Sequence, residues 1–459
     1  MRRKTLTGCI LAVTLSVCTA GCTETASVKQ ETQTDERQRV TIGNWPGEEA
    51  VSRRGVYEKM LQKVRKMNPD IDFVTDDYSY DVATFSQKAE NNQLPTVYDT
   101  WFTEISNIVD MGYAADITDE MYERGYAQSM NPDLLGLVSD DDGRIYAVPC
   151  DAYAQGLAIN KEIFSQLGLN PPDTWTELAE VAKRIKERTG KPGFAMPSKV
   201  NSGGWLFLNI AWSYGAVFLD KLDGRWTAMF DTPECVAALQ YVKDLRWKYD
   251  VLPDDPLIDG KQMEEMFAAG ELGMCINNLA ESTVDGTIGP FVGNMQMVSI
   301  PRGPKGRYSQ MGGNVHMISK DATKEQISAV FDWFEIMGET PKINNDILEN
   351  IENKLKERIE NGRTVLYHEP FSIWVNVDRT DKIEEIRNKY TNVNKKDFRD
   401  YYEFEGVIIN AEPAVATQSL YHILDGCIQQ VLTDKDADCA ELISKAAMDY
   451  QNNYLDQYN

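Results

Sequence analysis

Apolar and polar residues alternate along the first part of the chain in a pattern that predicts strands separated by helices. The runs "VTIGNW", "IDFVTDDY" and "PTVYDTWF" each predict a strand. Between the first two runs, apolar residues recur at every fourth position from Val56 to Val64, which predicts a helix, and a second helix is expected from Val82 to Asn92. This order of elements predicts an α/β domain with a largely parallel sheet.

The second part of the chain also mixes helices with short strands. "DTWTELAEVAKRIKERTG" predicts a helix that begins with a capping box formed by Thr174 and Glu177. "ELGMCINNL", "MVSI" and "GGNVHMIS" predict strands, and the last of them leads into a helix from Lys324 to Met337. From about Lys342 onward the pattern predicts mostly helix.

Length and charge narrow the class of protein. A chain of 459 residues exceeds one ordinary hydrophobic core, so two domains are expected. The 71 acidic and 47 basic residues give a formal net charge of -24, and an acidic surface repels phosphate. A nucleic-acid partner is therefore not expected.

The amino terminus has the features of a lipoprotein signal. A basic "MRRK" precedes a short apolar run, and the segment ends in "TAGC", which resembles a bacterial lipobox. We expect residues 1-21 to be a signal peptide, Cys22 to be lipidated and residues 22-38 to form a flexible tether. An ordinary secretory signal with an incidental cysteine is the alternative.

The chain carries no motif for metal or catalytic chemistry. Five cysteines follow Cys22 without a C-x-x-C spacing, so neither a zinc site nor a full disulfide framework is indicated, although a bridge between Cys427 and Cys439 stays open. The acidic turn "DDDGR" does not match a calcium-binding loop, and phosphate-binding, dinucleotide-binding and nucleophile motifs are missing. We expect no catalytic residue, no metal and no cofactor.

Four aromatic residues fall at the ends of predicted strands or the starts of predicted helices: Trp45, Trp101, Tyr153 and Trp205. Open α/β sheets bind ligands at the carboxyl ends of their strands, and aromatic faces suit the apolar C–H faces of sugar rings. Packing in the core is the alternative for each one. The tryptophans within predicted helices are expected in the core, namely Trp175, Trp247 and Trp333.

Four segments in order resemble the bacterial extracellular solute-binding proteins of family 1, the sugar-binding lipoproteins of ABC importers. These segments are "PTVYDTWFTEISNIVDMGYAADIT", "DGRIYAVPCDAYAQGLAINKEIFSQLGLNPPDTWTEL", "FAAGELGMCINNLAES" and "IPRGPKGRYSQMGGNVHMISKDATKE". The chain departs from the family pattern at Ile159, where an aromatic residue is usual, and at Asn277, near the usual glycine.

The resemblance implies an α/β fold of the type II periplasmic-binding-protein kind, with two lobes joined by a multi-crossover hinge and a ligand cleft between them. Residues 39-151 with about 308-340 would form lobe 1. Residues 152-307 with about 341-459, including the C-terminal helices, would form lobe 2. "IYAVP" would be a strand ending at Pro149, and Cys150 to Ala152 would be the crossing between the lobes.

The resemblance also implies where ligand would bind. Lobe 1 would contribute Trp45, Glu48, Asp99, Trp101, Glu104 and Asn314. Lobe 2 would contribute Tyr153, Trp205, Asn278, Glu281 and Tyr421.

The function implied is capture of a sugar or oligosaccharide and its delivery to the transmembrane subunits of an ABC permease. The protein would be a monomer anchored by lipid to the extracytoplasmic face of the cell membrane, and not an enzyme. A protein of the same fold that binds a polyamine, a peptide or a uronate oligomer is the first alternative. A secreted carbohydrate-active enzyme is the second.

Overall fold

The computed structural model describes residues 38–369 and 371–458, which form eleven strands and eighteen α-helices. The strands are β1 (Gln38–Ile42), β2 (Ile71–Thr75), β3 (Val97–Trp101), β4 (Ala147–Ala154), β5 (Gly156–Asn160), β6 (Leu219–Leu222), β7 (Arg225–Ala228), β8 (Met274–Asn277), β9 (Met295–Ser299), β10 (Arg307–Ile318) and β11 (Val407–Ala411).

The helices of the first half of the chain are α1 (Val51–Met67), α2 (Phe85–Glu90), α3 (Ile105–Asp110), α4 (Thr118–Glu123), α5 (Tyr126–Ser129), α6 (Pro132–Leu137), α7 (Lys161–Leu167), α8 (Trp175–Thr189) and α9 (Ser202–Tyr214). The remaining helices are α10 (Pro233–Trp247), α11 (Gly260–Ala268), α12 (Glu281–Asp285), α13 (Lys324–Met337), α14 (Asn345–Glu360), α15 (Val377–Tyr390), α16 (Arg399–Glu403), α17 (Thr417–Thr433) and α18 (Cys439–Asn453). Short 3-10 turns cover Phe102–Glu104, Gly289–Asn294, Lys395–Asp397 and Leu455–Tyr458.

The larger sheet combines strands from three distant parts of the chain. Its order is β11-β10-β3-β1-β2, and β4 also pairs with β10. Strands β1, β2 and β3 run parallel, as their alternation with helices predicted. Strand β10 runs antiparallel to β3 and β4 but parallel to β11. The smaller sheet, β8-β5-β9, is antiparallel throughout.

Two hydrophobic cores define two lobes. The first lobe packs around the larger sheet, with Val40, Phe73, Ile108 and Phe331 among its fully buried side chains. The second lobe packs around the smaller sheet and the long helices α9, α10 and α17. This is the two-lobed α/β architecture expected from the sequence, and the residue boundaries proposed for the lobes stay a prediction.

A two-stranded ribbon, β4 with β10, leads from the first core toward the second. The two strands pair from Met311 opposite Ala154 to Met317 opposite Ala147, with a shift of register next to Asn314. Strand β5 begins at Gly156, immediately after β4, and belongs to the other sheet. The expectation that the strand ends at Pro149 is wrong, because β10 supplies hydrogen-bond partners to β4 as far as Ala154. We call β4 and β10 the hinge ribbon.

Three further expectations need correction. The tail contains a strand, β11, in addition to helices, since "VIINA" pairs with β10. Trp247 is 36% exposed and donates its indole N–H to the Val431 carbonyl, so it lies at the surface, whereas Trp175 and Trp333 are buried. The Thr174 hydroxyl accepts from the Glu177 N–H, but the Glu177 carboxylate accepts from Asp173 instead of closing the capping box.

The five cysteines after Cys22 are free thiols, and Cys275 and Cys427 are buried as apolar packing predicted. The possible Cys427–Cys439 bridge is therefore not formed in this structure. The signal peptide, the lipidated Cys22 and the tether up to residue 37 lie outside the described residues. Within the described residues, no helix is long and apolar enough to cross a membrane.

Candidate functional site

The hinge ribbon presents polar and aromatic side chains on one face. Tyr153 pairs with Gly312 and Asp151 pairs with Asn314, and side chains two positions apart on a strand point to the same side. A Cβ atom on Gly312 would lie 3.0 Å from the Tyr153 ring, so the glycine leaves the room that the ring occupies. The Asn314 amide donates to both Asp151 carboxylate oxygens, at 3.1 and 3.0 Å.

Helix α9 places Trp205 against Tyr153. Their ring centroids are 6.5 Å apart at an interplanar angle of 85°, an edge-to-face arrangement. The start of α9 is held by Asp425 of α17, which accepts from the Asn201 and Gly204 N–H groups at 2.7 and 2.8 Å. The same helix α17 carries Tyr421, so two of the aromatic residues predicted from sequence are positioned by one helix pair.

Glu412 joins these residues into a group that we call the glutamate cluster: Trp205, Gln310, Glu412 and Tyr421. The Glu412 carboxylate accepts from the Tyr421 hydroxyl at 2.6 Å and from the Gln310 amide at 3.1 Å, and that amide also donates to the Tyr421 hydroxyl oxygen. Burial raises the pKa of Glu412 to about 7, against the lowering effect of Tyr421, Trp205 and Gln310. This carboxyl group is therefore divided between its two protonation states near neutral pH.

Two amide side chains of this region carry polar atoms without a partner among the described protein groups. Gln155, which is 1% exposed, makes no side-chain hydrogen bond through either its oxygen or its nitrogen, and the Gln310 side-chain oxygen also lacks a donor. Gln155 directly follows β4, and its backbone N–H donates to the Gln310 carbonyl at 3.1 Å. Buried amides are normally satisfied, so these atoms have unused hydrogen-bonding capacity.

The first lobe faces this group with a second carboxylate. Glu104 is 4% exposed, and it accepts from the Tyr80 hydroxyl at 2.6 Å and from the Thr103 hydroxyl at 3.3 Å. Trp101 packs edge-to-face on Tyr80 and is 42% exposed. The charge of Glu104 contributes to the raised pKa of Glu412, so the two carboxylates interact between the lobes.

The first lobe also holds a different arrangement, which we call the histidine cluster: Asp99, His316 and Glu339. The His316 ring contacts Asp99 Oδ1 through Nδ1 at 2.6 Å and Glu339 Oε2 through Nε2 at 2.5 Å, and it stacks on Phe334. Burial lowers the pKa of His316, but the charges of Glu339 and Asp99 outweigh burial and raise it to about 10. The ring is therefore an imidazolium that donates both N–H groups.

Side-chain contacts also join the lobes away from the hinge ribbon. Lys221, in the β6–β7 hairpin, forms an ion pair with Asp141 at 3.0 Å. Near the end of the chain, the Tyr458 hydroxyl lies 3.3 Å from the Asn107 side-chain oxygen. Opening of the lobes would separate both pairs.

Of the residues predicted from sequence, the structure brings Tyr153, Trp205 and Tyr421 into mutual reach, with Asn314 along the same ribbon and Glu104 facing them. Trp101 borders Glu104 through Tyr80. Asp99 belongs to the histidine cluster instead. As ligand contacts, all of these stay predictions.

The remaining predicted contacts also stay predictions, and no described hydrogen bond or ring contact joins them to the glutamate cluster. Trp45 is buried against Tyr57 and Trp333 in the first core, and Glu48 is exposed. The Asn278 side chain accepts from the Ala280 N–H and the Thr283 hydroxyl of its own loop. The Glu281 side chain lies outside the described part of the structure.

Sequence reasoning missed Glu412, Gln310, Asp151 and Gln155. Asp151 and Gln155 flank the predicted Tyr153 at strand spacing, and Gln310 precedes the Gly312–Gly313 pair in the same way, so alternation along the two strands could have found all three. Glu412 follows an unrecognised strand and carries no local signal. In the part of the chain that the structure covers, no three His, Cys, Asp or Glu side chains could hold a metal ion together.

Two relatives with known names are binding proteins. A putative binding protein of Brucella abortus is 25% identical over 296 residues, which cover 60% of this chain and 67% of that protein. A polygalacturonan/rhamnogalacturonan-binding protein of Bacillus subtilis is 27% identical over 234 residues, covering 49% of this chain and 47% of that protein. The matched segment thus spans about two thirds of the first relative and about half of the second.

Solved structures share the fold across nearly the whole chain. A maltose-bound protein of T. maritima superposes with a TM-score of 0.64 at 21% identity, covering 90% of this chain and 99% of that one. A receptor of Streptomyces glaucescens studied with acarbose gives a TM-score of 0.68 at 18% identity, covering 92% and 100%. The model of the bacterial extracellular solute-binding protein family matches residues 50–337, more than half of the sequence. The chain belongs to the bacterial extracellular solute-binding protein family.

Proposed function

We propose that the protein captures a sugar or an oligosaccharide between its two lobes and delivers it to the transmembrane subunits of an ABC permease. The observation that carries this proposal is the aromatic pair Tyr153–Trp205, bordered by the carboxylates and amides of Asp151, Gln310, Asn314 and Glu412. Aromatic rings cover the C–H faces of a sugar, and carboxylates and amides hydrogen-bond its hydroxyls. The names of the Bacillus and Streptomyces relatives support a carbohydrate ligand.

The proposal includes the cellular setting predicted from sequence. Lipidation at Cys22 would hold a monomeric protein on the extracytoplasmic face of the membrane. Residues 22–37 would form the tether, one residue shorter than the sequence predicted, since Gln38 belongs to β1. Ligand would bind by closure of the lobes about the hinge ribbon, and the closed form would be presented to the permease. No catalytic step is part of this function.

A thermal-shift screen against mono- and oligosaccharides tests the ligand class. A ligand that binds the folded protein but not the unfolded chain raises the free energy of unfolding, by about 2.7 kcal/mol when its concentration is a hundred times Kd. The melting temperature, Tm, rises as a result. We expect at least one carbohydrate to raise Tm. Shifts by an amine or a peptide with none by any sugar would contradict the proposal, and release of sugar products from a labelled oligosaccharide would favour the enzyme alternative.

Two tryptophan variants test the location of the site. Trp205→Ala and Trp101→Ala should each weaken binding of the sugar found in the screen by about tenfold or more, since buried aromatic anchors dominate binding energy. Both variants should keep a cooperative unfolding transition. The matched control is Trp247→Ala, because Trp247 is similarly exposed but donates to Val431 and is not among the residues assigned to the site. Equal loss of binding in the control would place the ligand elsewhere.

A further inference from the structure

The carboxylates at the proposed sugar site have uncharged partners. Glu104 accepts from Tyr80 and Thr103, and Asp151 accepts from Asn314. Glu412 accepts from Tyr421 and Gln310. Among their described hydrogen-bond and ion-pair partners there is no lysine, arginine or histidine.

The nearby histidine does not supply the missing positive charge. His316 donates one N–H to Asp99 and the other to Glu339, so neither is left for a ligand. Two carboxylates share this one cation, and the histidine cluster keeps a net negative charge. Burial is the main cause of the raised pKa of Asp151, and the negative charges of Glu339 and Asp99 raise it further. The electrostatic field of the histidine cluster therefore reaches Asp151.

Burial makes this excess of negative charge effective. Glu104 is almost fully buried, and its charge disfavours the charged form of Glu412. Charges that are removed from water interact more strongly than surface charges and are less screened by salt. A carboxylate on the ligand would add to this repulsion, whereas an ammonium group would relieve it.

Independent of charge, two buried amides leave unused hydrogen-bonding capacity beside the glutamate cluster. The side chain of Gln155 is more than nine-tenths buried, and both of its polar atoms lack a partner among the described groups, as does the Gln310 side-chain oxygen. Gln310 lies on the hinge ribbon, and Gln155 directly follows β4, where its backbone N–H donates to the Gln310 carbonyl. Amide groups satisfy neutral hydroxyls and amines without requiring a charge on the ligand.

We infer that the site discriminates by ligand charge: it takes sugars that are neutral or carry an amine, prefers the amine, and rejects uronic acids. This inference rests on the proposed function and specifies its substrate class. It separates this chain from the Bacillus relative, whose name states binding of polygalacturonan, a polymer of acidic sugars. Recognition of such a polymer calls for arginine or lysine at the ligand.

The test starts from the oligosaccharide that raises Tm most in the thermal-shift screen and compares three chemical forms of it. The forms are the neutral sugar, its 2-amino analogue and its uronic acid; for glucose these are oligomers of glucose, glucosamine and glucuronic acid. Calorimetric titration at neutral pH, at which most of the 2-amino groups are protonated and Glu412 is partly ionised, measures each Kd. We expect the amine to bind about tenfold tighter than the neutral form and the uronate at least tenfold more weakly.

A charge-removing variant shows whether the cleft carboxylates cause the preference. Glu412→Gln keeps a side chain of the same shape and should lower the ratio of amine to uronate affinity by about tenfold, with neutral-sugar affinity changed much less. Glu180→Gln, on the exposed side of α8, removes the same charge from the surface and should leave the ratio unchanged.

The outcomes separate the inference from the function on which it rests. If the uronate binds as tightly as the neutral sugar, or the amine binds no better than it, the inference is wrong while sugar capture stands. If Glu180→Gln changes the ratio as much as Glu412→Gln does, the cleft carboxylates are not its cause and the inference is also wrong. If no sugar binds in any form, the proposed function fails, and the inference with it.

Discussion

The histidine cluster and the glutamate cluster both place carboxylates next to the hinge ribbon, yet they balance charge differently. Asp99 and Glu339 enclose a cation that the chain itself provides, His316. Glu412 is surrounded by Trp205, Gln310 and Tyr421, which are uncharged. Both pKa values are raised, but for different reasons. Neighbouring carboxylates keep His316 in its charged form, whereas burial keeps Glu412 from ionising.

The difference indicates two different roles. A buried cation that is paired within the protein is costly to remove, because its loss leaves the carboxylates around it without a counter-charge. A buried carboxylate without a cation costs stability in its charged form, and a ligand can offset that cost. We therefore regard the histidine cluster as part of the stability of the first lobe and the glutamate cluster as part of the ligand site.

The largest expected effect comes from removal of the cation. His316→Gln should lower the free energy of unfolding by about 3–5 kcal/mol, because Asp99 and Glu339 then face each other without a counter-charge. Chemical denaturation measures this loss. His422→Ala, at an exposed position, is the control and should change stability by less than about 0.5 kcal/mol.

The pH dependence of that loss identifies its cause. Since the folded pKa of His316 is raised from 6.5 to about 10, its contribution is complete below pH 6.5 and is lost as the pH rises through 10. The deficit of His316→Gln relative to the parent should shrink over the same range. A deficit that does not change with pH would mean that packing on Phe334, and not charge, makes the cluster stabilising.

An intermediate effect of opposite direction is expected at Glu412. Its folded pKa of about 7 lies above the ordinary value of 4.5, so the unfolded chain releases this proton first and folding loses stability as the pH rises from 4.5 to 7. The stability of Glu412→Gln relative to the parent should therefore increase by about 3 kcal/mol across that window. Denaturation of both proteins at several pH values measures this difference. If their unfolding free energies change with pH in the same way, Glu412 does not differ from the histidine cluster as we describe.

The smallest expected effect on stability comes from Gly312→Ala. The added Cβ would meet the outer atoms of the Tyr153 ring, which can move, so unfolding free energy should fall by no more than about 1 kcal/mol. Sugar affinity should fall severalfold, since the ring is pushed from its place beside Trp205. Gly55→Ala in helix α1, with open space around it, is the matched control and should leave affinity unchanged. Unchanged affinity in Gly312→Ala would exclude Tyr153 from the site.

The fold was largely predictable from sequence, since strand and helix periodicity and the order of four family segments do not depend on distant contacts. The predictions that failed concern strands whose extent depends on pairing with a strand far away in the sequence. Strand β4 continues past Pro149 because β10 lies beside it, and β11 forms because the same strand accepts it on its other edge.

The candidate site was predictable only in part, for a related reason. Tyr153 and Trp205 stand at strand and helix ends, where sequence position alone suggests a role. Glu412 gains its importance from Gln310, which lies 102 positions away, and from its burial. Neither the contact nor the burial leaves a pattern in the residues around position 412.

The position of β10 in the larger sheet has a consequence for how the chain folds. Strand β10 joins β3, β4 and β11, yet roughly 150 residues separate it from the end of β4, and these residues build most of the other lobe. When the chain emerges with its amino terminus first, β3 and β4 have exposed edges until β10 arrives, and such edges can pair with other chains. Aggregation during biogenesis is therefore most sensitive to the first lobe, although its residues are made first.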